Sequence, residues 1–138
     1  MTRLALFVFV LSCGLFSGCG ESGPKRVRFS GTVALDGKPI PYGEIVLTPD
    51  GTKKNTGPQG IAPIVDGKFD TSSGTGQGIA GGPTIVRVNG MTGPGGKTLC
   101  EYEIALDLPR TDSTKDIDVP KKDANNANKQ GKKNAPEI

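Results

Sequence analysis

The stretch from Ser30 to Gly51, SGTVALDGKPIPYGEIVLTPDG, decides the fold class of this chain. It continues an alternation that starts at Val27, in which positions 27, 29, 31, 33 and 35 are apolar or glycine and positions 28, 30 and 32 are polar. A period of two residues is typical of a half-buried β-strand. The pair Asp36-Gly37 follows at once and predicts a tight turn.

Two prolines shape the chain after this turn. Pro39 and Pro41 flank Ile40, and because proline has no amide hydrogen to donate, this piece is expected to be an irregular edge rather than a central strand. The segment GEIVLTP, from Gly43 to Pro49, is the second predicted strand, and Pro49-Asp50-Gly51 is a predicted turn.

The same pattern continues to Val119. IAPIV and KFDT enclose a second Asp-Gly pair, Asp66-Gly67, and further strands are predicted at TIVRVNG (84–90), TLCEYEIALDL (98–108) and KDIDV (115–119). Seven short strands separated by turns predict a small antiparallel β-sandwich of the prealbumin or immunoglobulin-like kind, and no helix is clearly signalled. The glycine-rich residues 72–83 are expected to form a long, mobile connection.

Composition restricts the chemistry that this domain can perform. The chain has 138 residues, of which 34% are hydrophobic, and it contains no histidine. This excludes catalytic triads with a histidine base and the common zinc hydrolases, so carboxylate-only chemistry, as in some glycosidases, is the remaining enzymatic alternative. From Cys19 to Val119, eleven Lys and Arg residues face twelve Asp and Glu residues, a net charge of −1. A nearly neutral domain disfavours nucleic-acid binding.

The N-terminus has the pattern of an export signal. Residues 4–16, LALFVFVLSCGLF, form an apolar block after Arg3, and the small pair Ser17-Gly18 precedes Cys19. The end of this segment resembles the lipobox of bacterial lipoproteins, with Phe16 in place of the usual leucine. Residues 1–18 are therefore interpreted as a signal peptide, Cys19 as the lipidated residue, and residues 19–26 as an acylated, flexible linker. Cys13 is a competing lipidation site, and an uncleaved signal anchor is the other alternative.

The end of the chain differs from the domain. Residues 120–138 carry five lysines against two acidic residues and are rich in Asn. The sequence predicts that this segment is a disordered basic tail after a domain of residues 27–119.

The strand and turn pattern also resembles a known family. LDGKPI, GEIVLTP, IVDGKF and the later GPTIVRV are similar to carboxypeptidase-regulatory-like domains, a branch of the transthyretin-like β-sandwiches. The version found here resembles the domain of many small bacterial lipoproteins. The resemblance covers residues 30 to about 90 well and the last two strands loosely, and it implies structural roles for Gly37, Pro39 and Gly67. It implies no catalysis, because the zinc domain of the carboxypeptidases and the histidines of the related hydroxyisourate hydrolases are both missing.

Several residues suggest specific chemical roles. Cys100 is on the apolar parity of its strand, which favours a buried, inert thiol over an intermolecular disulfide. Calcium binding by clustered carboxylates, sugar stacking by tyrosines and a lysine isopeptide bond are weaker hypotheses. The residues considered for calcium are Asp36, Glu44, Asp66 and Asp70, and those considered for sugars are Tyr42 and Tyr102.

These observations predict a non-enzymatic, membrane-tethered module of the bacterial cell envelope with a structural, adhesive or protein-interaction role. It would be exported and lipid-anchored to the cell membrane or outer membrane, where it would face the periplasm or the exterior. It would use no cofactor. Its partners would be the membrane and an envelope protein or glycan. The alternative is a module that binds envelope glycans or divalent cations.

Overall fold

The structure is a computed structural model that describes residues 25–126. This part of the chain is all-β, as predicted, with two short 3₁₀ turns at Gly51–Lys53 and Lys121–Asp123. Nine strands follow one another along it: β1 Phe29–Leu35, β2 Lys38–Pro39, β3 Tyr42–Pro49, β4 Gly60–Val65, β5 Lys68–Asp70, β6 Gly82–Met91, β7 Thr98–Leu108, β8 Ser113–Thr114 and β9 Ile117–Val119.

Both Asp-Gly pairs form two-residue turns between paired strands. Asp36 and Gly37 have φ values of 52° and 76°, and Asp66 and Gly67 have φ values of 49° and 73°. Positive φ at both central positions is the geometry of a type I′ turn, whose twist matches that of the flanking strands. The first turn pairs β1 with β2, and the second pairs β4 with β5. Pro39 lies in the two-residue strand β2 at the edge of the sheet.

The strands form one sheet that curls into a half-barrel around the core. Its order is β2-β1-β5-β4-β3-β6-β7, and neighbouring strands in this path are antiparallel. The two last strands, β8 and β9, differ from the antiparallel prediction, because both pair with β1 in parallel. The chain leaves β7 at the end of the sheet where β1 starts, so the segment that follows runs in the same direction as β1.

The inward faces of the strands build the core. The predicted alternation is correct for β1, β7 and β9, where Val33, Cys100 and Val119 are fully buried. The other buried hydrophobic residues are Val27, Phe29, Ile40, Ile45, Leu47, Ala62, Ile64, Phe69, Ile79, Val86, Val88, Tyr102, Leu108, Ile117 and Ala124. Because each strand contributes alternate residues, the opposite face of the sheet stays mainly polar or half-buried.

The glycine-rich connection between β5 and β6 packs against the core, contrary to the expected mobile loop. Ile79 is buried, and its backbone exchanges hydrogen bonds with Val27 at N···O distances of 2.7 and 3.0 Å. Gln77 forms a second bridge with Ile61, at 2.7 and 3.1 Å. One apolar residue in a run of glycines is a weak sequence signal, which explains why this contact was not predicted.

The fold also continues beyond Val119, which corrects the predicted start of the disordered tail. Residues 121–123 form a 3₁₀ turn, Ala124 is buried, and the side chain of Asn126 hydrogen-bonds to β7. The rest of the predicted tail, residues 127–138, lies outside the described residues, as do the predicted signal peptide and Cys19. Within residues 25–126 no helix has the length and apolar character needed to span a membrane.

Candidate functional site

The strand β7 forms one end of the sheet, and the free edge of β7 is only partly covered. The backbone amide of Glu101 donates to the carbonyl of Ala124 at 2.6 Å. The amide of Glu103 donates to Asn126 Oδ1 at 2.6 Å, and Asn126 Nδ2 donates to the carbonyl of Glu103 at 3.0 Å. The carboxamide of Asn126 therefore takes the place that a peptide group of a neighbouring strand would occupy.

The second half of this edge has no such cover. Backbone amides of alternate residues in a strand point to the same side, so those of Ala105 and Asp107 point away from β6, like those of Glu101 and Glu103. In the part of the chain that the structure describes, these two amides have no hydrogen-bond partner. Both residues are also exposed. The open edge, defined as Ala105–Leu108, can therefore accept an extended chain.

The apolar side chains next to the open edge are incompletely covered. Ile104 and Leu106 pack against the core but are only half-buried. Together with Tyr102 they line one side of a cavity of about 180 Å³, whose other side is formed by residues 115–118. We call this gap between β7 and β9 the seam. Burial raises the pKa of the Tyr102 phenol above its usual value, and the nearby charge of Asp123 adds to the effect.

A second concave feature, the outer groove, lies on the polar face of β1, β4 and β5. Its volume is about 460 Å³, and its lining residues are Arg28, Ser30, Gly31, Thr32, Pro63, Val65, Lys68, Phe69, Asp70, Ser73, Thr114 and Asp116. Val65 is 52% exposed, so the groove combines an apolar surface with hydroxyl and charged groups. This combination is typical of surfaces that bind small polar ligands.

The carboxylates of the outer groove are already engaged in hydrogen bonds. Arg28 donates from Nε and Nη2 to Asp70, with the shortest distance 2.6 Å, and Ser72 donates to the same carboxylate. The bond from Arg28 holds the pKa of Asp70 well below its usual range. Asp116 Oδ1 accepts from both the amide and the hydroxyl of Thr32, at 3.1 and 2.7 Å. The geometry therefore assigns these two carboxylates to holding strands together.

Three aspartates perform a structural task that sequence reasoning missed. Each accepts a hydrogen bond from a backbone amide in or next to β1, in the region where β8 and β9 pair with it. The bonds are Arg28 N to Asp112 at 2.8 Å, Thr32 N to Asp116 at 3.1 Å and Gly37 N to Asp118 at 3.0 Å. Donor and acceptor are more than 80 residues apart, so no local pattern signals these contacts.

The predicted burial of Cys100 is confirmed. The residue has no exposed surface, and burial raises the pKa of its thiol. Within residues 25–126 it is the only cysteine and it is unpaired. A thiol in this environment is chemically inert, in contrast to the exposed, low-pKa thiols that react readily. Cys13 and Cys19 lie outside the described residues.

The four acidic residues considered for calcium do not form a site in the structure. Asp36 and Asp66 occupy the two turns, Asp70 is bound to Arg28, and Glu44 lies on β3. Among residues 25–126 no group of three or more Asp, Glu, His or Cys side chains is placed to hold a metal ion.

The two tyrosines do not form a common platform. Tyr102 belongs to the inner face beside Val88, whereas Tyr42 has the parity opposite to that of the buried Ile45 and so belongs to the outer face. A lysine isopeptide bond is not supported either, because every lysine between positions 25 and 126 is exposed. Such a bond forms between groups that are held together in a protein interior.

A scan against models of protein families, and searches for similar curated proteins and solved structures, found no match to this chain. The resemblance to carboxypeptidase-regulatory-like domains therefore rests on its sequence motifs and stays a prediction.

Proposed function

We propose that this chain is a non-enzymatic β-sandwich module of the bacterial cell envelope that is tethered to the membrane through a lipid on Cys19. In this proposal the module recruits another envelope protein, whose extended segment enters the seam and pairs with the open edge of β7. The anchor is supported by the apolar block of residues 4–16 and by the small residues before Cys19. The absence of histidine supports a binding role rather than catalysis.

The single observation that carries the interaction role is the half-covered edge of β7. At Glu103, the carboxamide of Asn126 supplies one acceptor and one donor to the strand. Two and four residues after Glu103, the backbone amides of Ala105 and Asp107 point to the same side of the strand. Neither amide has a hydrogen-bond partner in the described chain. An added strand would satisfy these groups and cover Ile104 and Leu106, so backbone pairing and apolar burial would favour the same complex.

A proline substitution tests the edge selectively. Ala105→Pro removes an amide that points away from β6 and leaves the pairing of β6 with β7 in place. The matched control is Ala105→Ser, which changes the side chain and keeps the amide. We expect wild-type protein and Ala105→Ser to capture the same envelope protein from native membranes, and we expect Ala105→Pro to lose it while keeping its melting temperature.

Hydrogen exchange identifies the contact within the captured complex. The amides of Ala105 and Asp107 should exchange rapidly in the free protein and slowly in the complex. Capture by Ala105→Pro at the wild-type level, or unchanged exchange at both amides, would contradict the proposed docking mode. If a second copy of the chain occupies the edge instead, sedimentation will show a dimer that Ala105→Pro dissociates.

The lipid anchor is tested separately with radiolabelled palmitate in a bacterial host. We expect label in the wild-type chain and in Cys13→Ala, and no label in Cys19→Ala. Label that persists in Cys19→Ala would show that Cys19 is not the modified residue.

A second candidate function, binding of an envelope glycan, is favoured by the outer groove. Hydroxyl groups, the Arg28–Asp70 pair and the exposed Val65 line one cavity of about 460 Å³. Calorimetry with cell-wall fragments should show heats that disappear in Val65→Asp and persist in Thr48→Asp, which places the same charge on an exposed residue outside the groove. No heat with any fragment would remove this alternative.

A further inference from the structure

One end of the curled sheet carries six of the thirteen exposed Lys and Arg side chains of residues 25–126. We call it the basic end and define it by residues 25–28, 50–59, 71–81 and 109–112. These segments meet there because β1 and β6 start at this end and β3 and β7 finish at it. The bridge between Val27 and Ile79 and the hydrogen bond from the Asp50 amide to the Pro83 carbonyl, at 2.9 Å, hold them together.

Cations outnumber carboxylates at the basic end. Six exposed cations lie in its segments: Lys25, Arg26, Arg28, Lys53, Lys54 and Arg110. The same segments contain only two carboxylates. Asp50 is buried and accepts from Thr52, and Asp112 accepts from the Arg28 amide. Asp70, which directly precedes the third segment, is the ion-pair partner of Arg28, so the basic end has a net charge of +3 when this carboxylate is included.

The opposite end of the sheet is nearly neutral. Its segments 36–41, 66–67, 92–97 and 120–126 carry four lysines against three aspartates, a net charge of +1. The basic end therefore carries the larger net positive charge of the two ends.

The chain also enters the domain at the basic end. Lys25 is the first described residue, and Arg26 is fixed by hydrogen bonds from Nη1 to the carbonyls of Gln59 and Gly78, at 3.2 and 2.7 Å. Six residue steps separate Lys25 from Cys19, so even a fully extended chain spans only about 20 Å between them. A lipid on Cys19 would hold the basic end close to the headgroup layer.

A cavity at this end contains unused donors for a phosphate group. It has a volume of about 370 Å³ and is lined by Arg26, Val27, Arg28, Thr71, Ser72, Gly78 and Asp112. Within the described chain, Nε and Nη2 of Arg26 and Nη1 of Arg28 have no hydrogen-bond partner. Guanidinium groups bind phosphate through several N–H donors at once.

We propose that the basic end faces the membrane and binds the headgroups of anionic phospholipids, with Arg26 and Arg28 in contact with a headgroup phosphate. This inference rests on the proposed lipid anchor at Cys19. It adds an orientation, in which the opposite end of the sheet points into the aqueous phase and the open edge of β7, which leads into residues 109–112, lies towards the membrane. Each cation near an anionic surface strengthens binding by a factor of about five, so small clusters suffice to orient a tethered domain.

The orientation can be measured on the lipidated chain in vesicles. A fluorophore is attached either to Thr56→Cys, at the basic end, or to Pro94→Cys, at the opposite end, and a nitroxide on the lipid headgroups serves as quencher. The buried Cys100 does not compete for the label. In vesicles of phosphatidylglycerol and phosphatidylcholine in equal parts, we expect strong quenching of the label at position 56 and weak quenching at position 94.

The difference should disappear in pure phosphatidylcholine and at about 1 M salt, where the Debye length falls to about 3 Å. It should also disappear in the triple variant Lys53→Gln/Lys54→Gln/Arg110→Gln, since each cation contributes a factor of about five to binding at an anionic surface. The matched control is Lys97→Gln/Lys121→Gln/Lys122→Gln, which removes the same charge from the opposite end and should keep the orientation.

The possible failures are distinguishable. If the chain floats with vesicles but the two labels are quenched equally, or if the control variant loses the orientation as fully as the triple variant, the anchor stands and the proposed orientation is wrong. If the purified chain carries no lipid and floats with neither kind of vesicle, the anchor and the orientation are both wrong.

Discussion

The substitution Asn126→Ala tests whether the described end of the chain is part of the folded domain. It removes two hydrogen bonds to the backbone of Glu103, one of 2.6 Å and one of 3.0 Å, both in a partly buried environment. Each such bond contributes about 0.5–1.5 kcal/mol to stability, so we expect the free energy of unfolding to fall by about 1–3 kcal/mol. In a domain of this size, each kcal/mol corresponds to a shift of about 4–8 °C in melting temperature.

The assay is urea unfolding of the full chain in a Cys19→Ser background, followed by circular dichroism, together with amide hydrogen exchange. The matched control is Asn125→Ala, because Asn125 is exposed and its side chain makes no hydrogen bond to any of residues 25–126. The Glu103 amide should lose protection in Asn126→Ala and keep it in Asn125→Ala. Equal stability of the two variants, or an unprotected Glu103 amide in the parent protein, would refute the conclusion that residues 120–126 belong to the fold.

Two further predictions concern the attachment of β1 to its neighbours. Because the folded-state pKa of Asp70 is lowered by Arg28, the stabilisation from this half-exposed pair is complete above a pH of about 5 and is lost as the pH falls towards the lowered pKa. The stability difference between the parent and Asp70→Asn should therefore shrink below a pH of about 5, and parallel pH curves would contradict this explanation. In Gly31→Ala the new Cβ would overlap the carbonyl oxygen of Lys115, at a cost of about 3 kcal/mol in urea unfolding, whereas Gly51→Ala meets no atom and should change stability by less than about 0.5 kcal/mol. A neutral Gly31→Ala would show that the parallel pairing beside β1 is not formed.

The strands and tight turns could be predicted because their signals are local. In β7 the inward residues Cys100, Tyr102 and Leu108 have the parity opposite to that of Glu101, Glu103 and Asp107, so the sequence alone indicates which face is buried. The Asp-Gly pairs indicate turns for an equally local reason, since glycine accepts a positive φ at low cost and aspartate tolerates it.

The candidate sites could be predicted only in part. Burial of Cys100 followed from its parity, and the absence of a histidine base followed from composition. Whether Tyr42 and Tyr102 lie on the same face of the sheet could not be predicted, because strand parity within one segment does not say which face a distant segment shares. The separation of the carboxylates considered for calcium could not be predicted either. Their positions depend on how the hairpins pack rather than on spacing along the chain.

The sequence by itself determined the class of the fold, the seven main strand-forming segments, the positions of the two Asp-Gly turns and the exclusion of histidine-dependent chemistry. Only the tertiary structure decided that β8 and β9 run parallel to β1, that Ile79 closes the core, and that the chain continues to Asn126 along β7. It also decided that the amides of Ala105 and Asp107 have no hydrogen-bond partner within residues 25–126 and that six cations gather at one end. These features depend on contacts between residues that are distant in the chain, and the hydrophobic alternation that identifies a strand carries no information about its neighbour.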